Sequence, residues 1–199
     1  MKSELTAKLS LFVIVIMFVL FVYGFAKAIM IVDKRQVGTD DGFYTNRVKT
    51  SKELETKAKE LTYGCKSELC EVSKLLDYVT HLEYKIHNNI AYSPHETMAF
   101  GYGDCDDKSN LLISLLHALG KEAYFVLVPE HIFVIIALDD SRISHRKGLW
   151  VNGKKYYILE STAKGSFVGF PLKYQLDKID TIVEPFKNEK IDLKRIDYR

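Results

Sequence analysis

The sequence has no long run of like charge. Lys+Arg 28 against Asp+Glu 26 leaves a formal net charge of only +2 over 199 residues. The basic footprint of a nucleic-acid-binding protein is therefore missing, and no nucleic-acid partner is expected. Cysteine is scarce too, present only at 65, 70 and 105. That is too few for a disulfide-dense secreted scaffold, and the spacing repeats neither a zinc ribbon nor a zinc finger. No structural metal and no cofactor is expected. Low-complexity tracts and the repeat periods of solenoids or propellers are also absent. What remains, 47% hydrophobic and 27% charged residues, is ordinary globular composition and excludes a disordered or collagenous chain.

The composition is uneven at one place. Leu9 to Ala26 contains no charged residue, and apart from Lys27 the apolar character continues through Val32. At 1.5 Å per residue these stretches span about 27 Å and about 36 Å, bracketing the roughly 30 Å hydrocarbon core of a bilayer. One membrane-spanning anchor over residues 9–32 is expected, with Lys27 snorkelling and with Tyr23, Lys34 and Arg35 at the boundary. A secretory signal peptide is the competing reading, because Lys2 and Lys8 precede the apolar run and Ala26-Lys27-Ala28 has a cleavable small-x-small form. The uncharged run exceeds the usual signal-peptide core, which favours the anchor. Residues 1–32 are thus read as anchor, 33–50 as a linker with glycines and clustered aspartates, and 51–199 as one domain.

Flanking charges do not settle which side of the membrane the domain occupies. The cysteines bear on it. Cys65 and Cys70 lie in the polar piece YGCKSELCE, close enough to close a small disulfide turn in an oxidising compartment, or else to stay reduced near helix ends. A bridge would leave Cys105 alone and put the domain outside the cytoplasm.

Within the domain, Ser51 is an N-cap candidate for a short amphipathic helix over Leu54, Ala58 and Leu61, stopped by Gly64. A second helix runs from about Leu69 with Val72, Leu75, Leu76, Val79 and Leu82 at helical spacing, and ends in the Asn88-Asn89 and Ser93-Pro94 turn signals. The third follows GYGDC, with Leu111, Leu112, Leu115, Leu116 and Leu119 as an apolar stripe and Gly120 as its stop. Beyond it the period turns extended in EAYFVLVP, HIFVIIAL and KYYILES. The last of these follows an Asn152-Gly153 turn, so the strands opening at 131 and 154 are expected to be antiparallel neighbours.

Cys105 stands at the start of the third helix, where free N–H groups and the positive end of the helix dipole favour thiolate. Asp104, Asp106 and Asp107 oppose this and would raise the thiol, so a nucleophile here needs a cationic partner. His131 opens a strand able to face that helix, and Glu160 ends the neighbouring one. The carboxylate could then hold the imidazole while the imidazole deprotonates the thiol. Asn152 and Asp139 are substitutes for Glu160. The histidines at 81, 87, 95, 117 and 145 share no ligand spacing and read as structural or solvated.

These pieces, GYGDCDDKSNLLISLLHALG, PEHIFVIIAL and YYILESTAKG, together resemble the transglutaminase-like cysteine-hydrolase superfamily with its papain-like core. The resemblance covers roughly Leu75 to Val168. It implies an α+β fold with an antiparallel sheet packed on helices, and thiol acyl transfer with Cys105 as nucleophile, His131 as base and Glu160 as orienting acid. Glu160 stands where the family usually has Asp. YSPHETMAFG resembles the family's approach to the nucleophile, and Tyr92 and Tyr102 are both candidates for supporting the oxyanion.

Two functions follow as expectations. One is a membrane-anchored cysteine hydrolase or acyltransferase acting on peptide or amide bonds of a peptide or protein substrate, in which Cys105 is the most reactive thiol. The alternative is a catalytically inactive domain of the same fold, tethered to a membrane for binding. Polar decoration around His131 is sparse, which suits the alternative; the Cys, His, carboxylate order suits the enzyme.

Overall fold

The computed structural model describes residues 2–33, 36–39, 42–87 and 91–199. The boundary pair Lys34 and Arg35 and the Asn88-Asn89 turn lie outside the described residues. The chain divides into two compact units, Met1–Gln36 and Val37–Arg199.

The first unit is α1 (Lys2–Asp33). Its stretch Lys8–Met30, 23 residues at a mean hydropathy of 2.8, is long and apolar enough to cross a membrane and is equally consistent with a signal segment. Lys27 places its ammonium 5.4 Å from the Tyr23 ring, so the charge is partly screened by a cation–π contact.

The second unit carries all the remaining elements. Their order is β1 (Gln36–Thr39), which begins one residue before the unit, β2 (Gly42–Thr45), α2 (Lys52–Leu61), α3 (Glu68–His81), β3 (Glu83–Tyr84), α4 (Pro94–Phe100), β4 (Tyr102–Gly103), α5 (Cys105–Ala118), β5 (Ala123–Val128), β6 (His131–Ile136), β7 (Leu149–Val151), β8 (Lys154–Leu159), β9 (Thr181–Glu184), β10 (Glu189–Lys190) and β11 (Ile196–Tyr198). Seven strands form one antiparallel sheet in the order β10-β9-β5-β6-β8-β7-β11. Helices α2, α3 and α4 pack on α5, and α5 packs on β5 and β6. This is an α+β fold.

Local chemistry accounts for the element ends. Ser51 and Ser67 cap α2 and α3 by accepting from the N–H groups of Leu54 and Cys70. The Asn152-Gly153 pair takes φ of 50° and 88° and joins β7 to β8 in a two-residue hairpin. The expected antiparallel pairing of the strands opening at 131 and 154 is present, with Ile135 opposite Ile158.

The sheet is buried on both faces. Phe125, Leu127, Ile132, Val134 and Ile136 face the helices. Val126, Val128, Phe133 and Ile135 face a second cluster covered by Phe170, Leu172, Tyr174, Leu176, Ile179, Leu193 and Tyr198. Burial on two sides explains why HIFVIIAL reads as a continuous apolar run rather than an alternating one.

α5 is enclosed so completely that Asp107, Lys108, Ser109, Asn110 and Ser114 are buried alongside its leucines. Each needs a partner, and the partners tie the fold together. Asn110 Oδ1 accepts from Tyr44 OH and from Arg47 N, both at 2.8 Å. Ser114 Oγ accepts from Lys49 N at 3.1 Å. Residues 44–49, part of the stretch read as a linker, are thereby seated on the central helix. Lys108 Nζ donates to Leu82 O at 3.0 Å, just past the end of α3, and burial lowers this ammonium to about 8.

Cys65 and Cys70 form a disulfide with Cα atoms 5.5 Å apart, closing the corner between α2 and α3. Cys105 is the free cysteine.

Replacing Asn110 by Ala strands two donors in the interior. Urea unfolding should show a loss of about 2 kcal/mol or more, whereas Ala at the exposed Ser141 should fall within ~0.5 kcal/mol of the parent.

Candidate functional site

The site is built where α4 and β4 deliver the chain to α5. Ser93 and Glu96 form a capping box at the start of α4, and Gly101, at φ 72°, ends that helix with a left-handed residue. After β4, Asp104 caps α5 by accepting from the N–H groups of Asp106 and Asp107, and Asp107 reaches back to the Asp104 N–H. Asp107 is fully buried. Its carboxylate also accepts from Tyr92 N at 2.6 Å and meets His87 Nε2 at 2.7 Å. The His87 ring stacks on Tyr92 at 4.1 Å. Gly103 is required here: a Cβ on it would lie 2.6 Å from Asp107 Cβ.

His131 is positioned by the tight β5–β6 turn, in which Pro129 and Glu130 (φ 56°) leave Val128 paired with His131. Glu160 follows the end of β8. His131 Nε2 lies 3.0 Å from Glu160 Oε2, and the other carboxylate oxygen accepts from Thr162 N at 3.1 Å and Thr162 Oγ1 at 2.7 Å. Burial alone would raise Glu160; the bonds to His131 and Thr162 hold it below its ordinary value. The Tyr174 ring stacks over His131 at 5.9 Å.

Cys105 begins α5 as expected, half-buried and against the start of β6. Its Sγ donates to Asp106 Oδ1 at 3.7 Å. Burial, followed by the charges of Asp106 and Asp104, pushes the thiol up to about 12, with a backbone hydrogen bond to Ile132 opposing. Asp106 rises to about 7, first through burial and then through Asp104. Burial, which the sequence did not show, acts first, and the acidic surroundings seen in the sequence add to it.

The structure brings His131 and Glu160 together; among the described residues, no hydrogen bond joins Cys105 to an imidazole. Cys65 and Cys70 are consumed in their disulfide. The triad-like cluster that does form is His87, Asp104 and Asp107, whose polar atoms lie within 4.8 Å of one another and which contains no cysteine. The expectation of an active thioacyl enzyme working through a Cys-His-Glu triad is therefore corrected. The hydrolase, protease and catalytic-triad descriptions fall with it. Although its donor set is one a metal could use, the His87 cluster is closed on itself, since Asp107 already engages Tyr92, Asp104 and His87.

Tyr92 and Tyr102, the two oxyanion candidates, lie in one aromatic group with Phe100, at centroid distances of 5.1, 5.8 and 6.1 Å. Asn152 and Asp139 do not replace Glu160: Asn152 sits in the β7–β8 turn, accepting from Lys194 N and Arg195 N, and the bond to His131 belongs to Glu160. Sequence reading missed Asp106 as the thiol's partner, and Tyr84 and Tyr174 as cleft tyrosines. It also missed the His87–Asp107 pair. The Asp104-x-x-Asp107 capping spacing was visible, but nothing local links it to His87.

Residues 55–137 match the sequence model of the Transglutaminase-like superfamily. The fold is that of the transglutaminase-like superfamily. The match takes in Cys105 and His131, and Glu160 lies beyond it. Among solved structures, a candidate cysteine protease from Cytophaga hutchinsonii is 17% identical, with a TM-score of 0.45 over 79% of this chain and 53% of that one. A candidate protease from Parabacteroides distasonis is 16% identical, with a TM-score of 0.44 over 71% of this chain and 27% of that one. This chain thus spans about half of the first and about a quarter of the second. No curated protein gives a significant match.

Asp106 has a pH signature. A carboxyl held at about 7 in the folded state and near 3.9 when unfolded binds more protons folded, so its contribution to stability falls as pH rises between those values. Asp106→Asn should leave stability unchanged below pH 4 and raise it above pH 7, on the order of 2 kcal/mol after discounting for solvent. Parallel denaturation curves across pH check this.

Proposed function

We propose that this protein is a membrane-tethered binding module of transglutaminase-like fold, in which the cleft around Cys105, His131 and Glu160 recognises a peptide or protein segment without forming a covalent bond to it. The observation that carries the reading is the state of Cys105: a thiol pushed up to about 12 and donating to Asp106. At neutral pH such a group is almost wholly protonated, and the protonated form is not a nucleophile. His131 is engaged by Glu160, and Tyr92, Tyr102 and Tyr174 supply aromatic surface suited to non-covalent recognition.

The apolar α1 supports tethering. The Cys65–Cys70 disulfide supports an extracytoplasmic domain, because such a bridge persists in an oxidising compartment. In this arrangement residues 1–32 anchor the chain, the stretch to about residue 50 connects it, and residues 51–199 make up the binding domain.

Iodoacetamide labelling followed by peptide mapping tests the silent thiol. Cys105 in the folded chain at pH 7.5 should react about a thousandfold more slowly than an unperturbed thiol of pKa about 8.5, and normally once unfolded. Labelling of folded Cys105 as fast as, or faster than, a free cysteine would overturn the reading and return the domain to the enzymes.

Topology has its own check. The full chain should stay in the membrane pellet through carbonate extraction, and acid-quenched, non-reduced protein should yield a Cys65–Cys70 peptide lighter by two hydrogens. Free thiols at both positions would remove the support for an external domain.

A further inference from the structure

Among the described residues, β3 is the edge of a two-stranded sheet whose other strand leads into α5. It pairs in parallel with β4, Glu83 opposite Tyr102 and Tyr84 opposite Gly103. Glu83 N donates to Gly101 O at 3.0 Å and Lys85 N to Gly103 O at 3.1 Å. Successive residues of such a strand turn their polar groups to opposite sides. The Tyr84 N–H and C=O therefore point away from β4, and among the described residues no strand covers them. Both residues of β3 are exposed, Tyr84 by 47%. Two main-chain groups without a backbone partner among the described residues, on an exposed edge, are a template for an added strand.

The chemistry next to that edge selects the strand. Tyr84 lies opposite Gly103, the residue before Asp104, and its hydroxyl is raised first by burial and then by Cys105, Asp104, Asp106 and Glu160, so it is within electrostatic reach of the acidic groups of the cleft. Asp104 and Asp106 crowd one another, and each is held above the ordinary carboxyl range, burial acting first. A cation entering there relieves the repulsion and meets aromatic faces. Phe100, exposed by 50%, and Tyr102 extend the apolar side of the ledge. The rim cation, Lys85, is folded 4.5 Å over the Tyr102 ring. That ammonium disfavours a polybasic run by like-charge repulsion, so a single basic side chain is the better match.

We propose that the outer edge of β3 accepts an extended peptide as an added strand, with one basic side chain of that peptide entering between Tyr84 and the carboxylates of Asp104 and Asp106. This rests on the binding-module reading and names the class of its partner. Backbone pairing at Tyr84 supplies affinity, and the carboxylates supply selectivity for charge.

Fluorescence anisotropy on the full chain in detergent micelles tests it with a labelled, end-blocked seven-residue peptide of alternating Thr and Val carrying one central Arg. Saturable binding is expected, weakened about tenfold by a central Glu, and about tenfold by backbone N-methylation in one alternate register but not the other. Asp106→Asn should weaken the Arg peptide and leave the Glu peptide unweakened. Equal binding of the Arg and Glu peptides, insensitivity to N-methylation in both registers, or no binding at all would overturn the ledge. Cys105 labelling reads the underlying proposal separately. A slow thiol with no peptide binding removes the ledge alone, while a fast thiol with register-dependent binding removes the silent site and keeps the ledge.

Discussion

A helix surrounded on every side cannot leave a polar group without a partner, and α5 is such a helix. Its leucines alone would make it an ordinary core element, but Asp107, Lys108, Ser109, Asn110 and Ser114 are also buried. Each unpaired group would cost about 1–3 kcal/mol, so the surroundings are arranged around them. Asp107 draws in Tyr92 and His87, Lys108 the end of α3, Asn110 and Ser114 the segment after β2, and Ser109 meets Ser161 at 3.0 Å. The cleft sits at the end of this helix because the hydrogen-bonded shell that satisfies α5 also brings β4, β6 and the residues after β8 to its first turn.

That dependence explains the character of the thiol. A helix N-terminus offers Cys105 a partial positive charge, and the same turn is built from three aspartates, two of which cap it. The capping carboxylate that makes the helix start well defined is a negative charge beside the sulfur. With burial added, the sum favours the protonated thiol, and its hydrogen goes to Asp106. His131 and Glu160 keep their mutual bond, which in the proposed reading orders a binding surface.

Much of this was legible in the residues. The Asn152-Gly153 hairpin, the Ser51 cap, the stop at Gly120 and the strand character of residues 123–136 follow from local chemistry and are visible in the residues themselves. The pairing of His131 with Glu160 was one reading among three, with Asn152 and Asp139 also open, and the 3.0 Å contact selects Glu160. The short strands β9 and β11 escaped, since four and three residues carry no period; β9 is held by its place beside β5 and not by its own pattern. The leucine stripe of α5 was plain, but nothing local signals that its polar residues are buried, because the segment after β2 that covers Asn110 and Ser114 is remote in sequence. The aspartates around Cys105 were seen to oppose its activation. What local sequence could not supply was the distance to a compensating cation, which is set by the register of the sheet.

The segment that enters the domain behind α1 has a mechanical meaning. Tyr44, Arg47 and Lys49 bind the chain to Asn110 and Ser114, and Asn110 lies little more than one helical turn beyond Cys105. Tension pulled along the polypeptide from the apolar helix would reach these bonds before any other part of the α5 shell. Load on the second unit would be taken first by Val37, buried in the core, and by the bond from Lys190 Nζ to Gly38 O, and would pass next to the helix that organises the cleft.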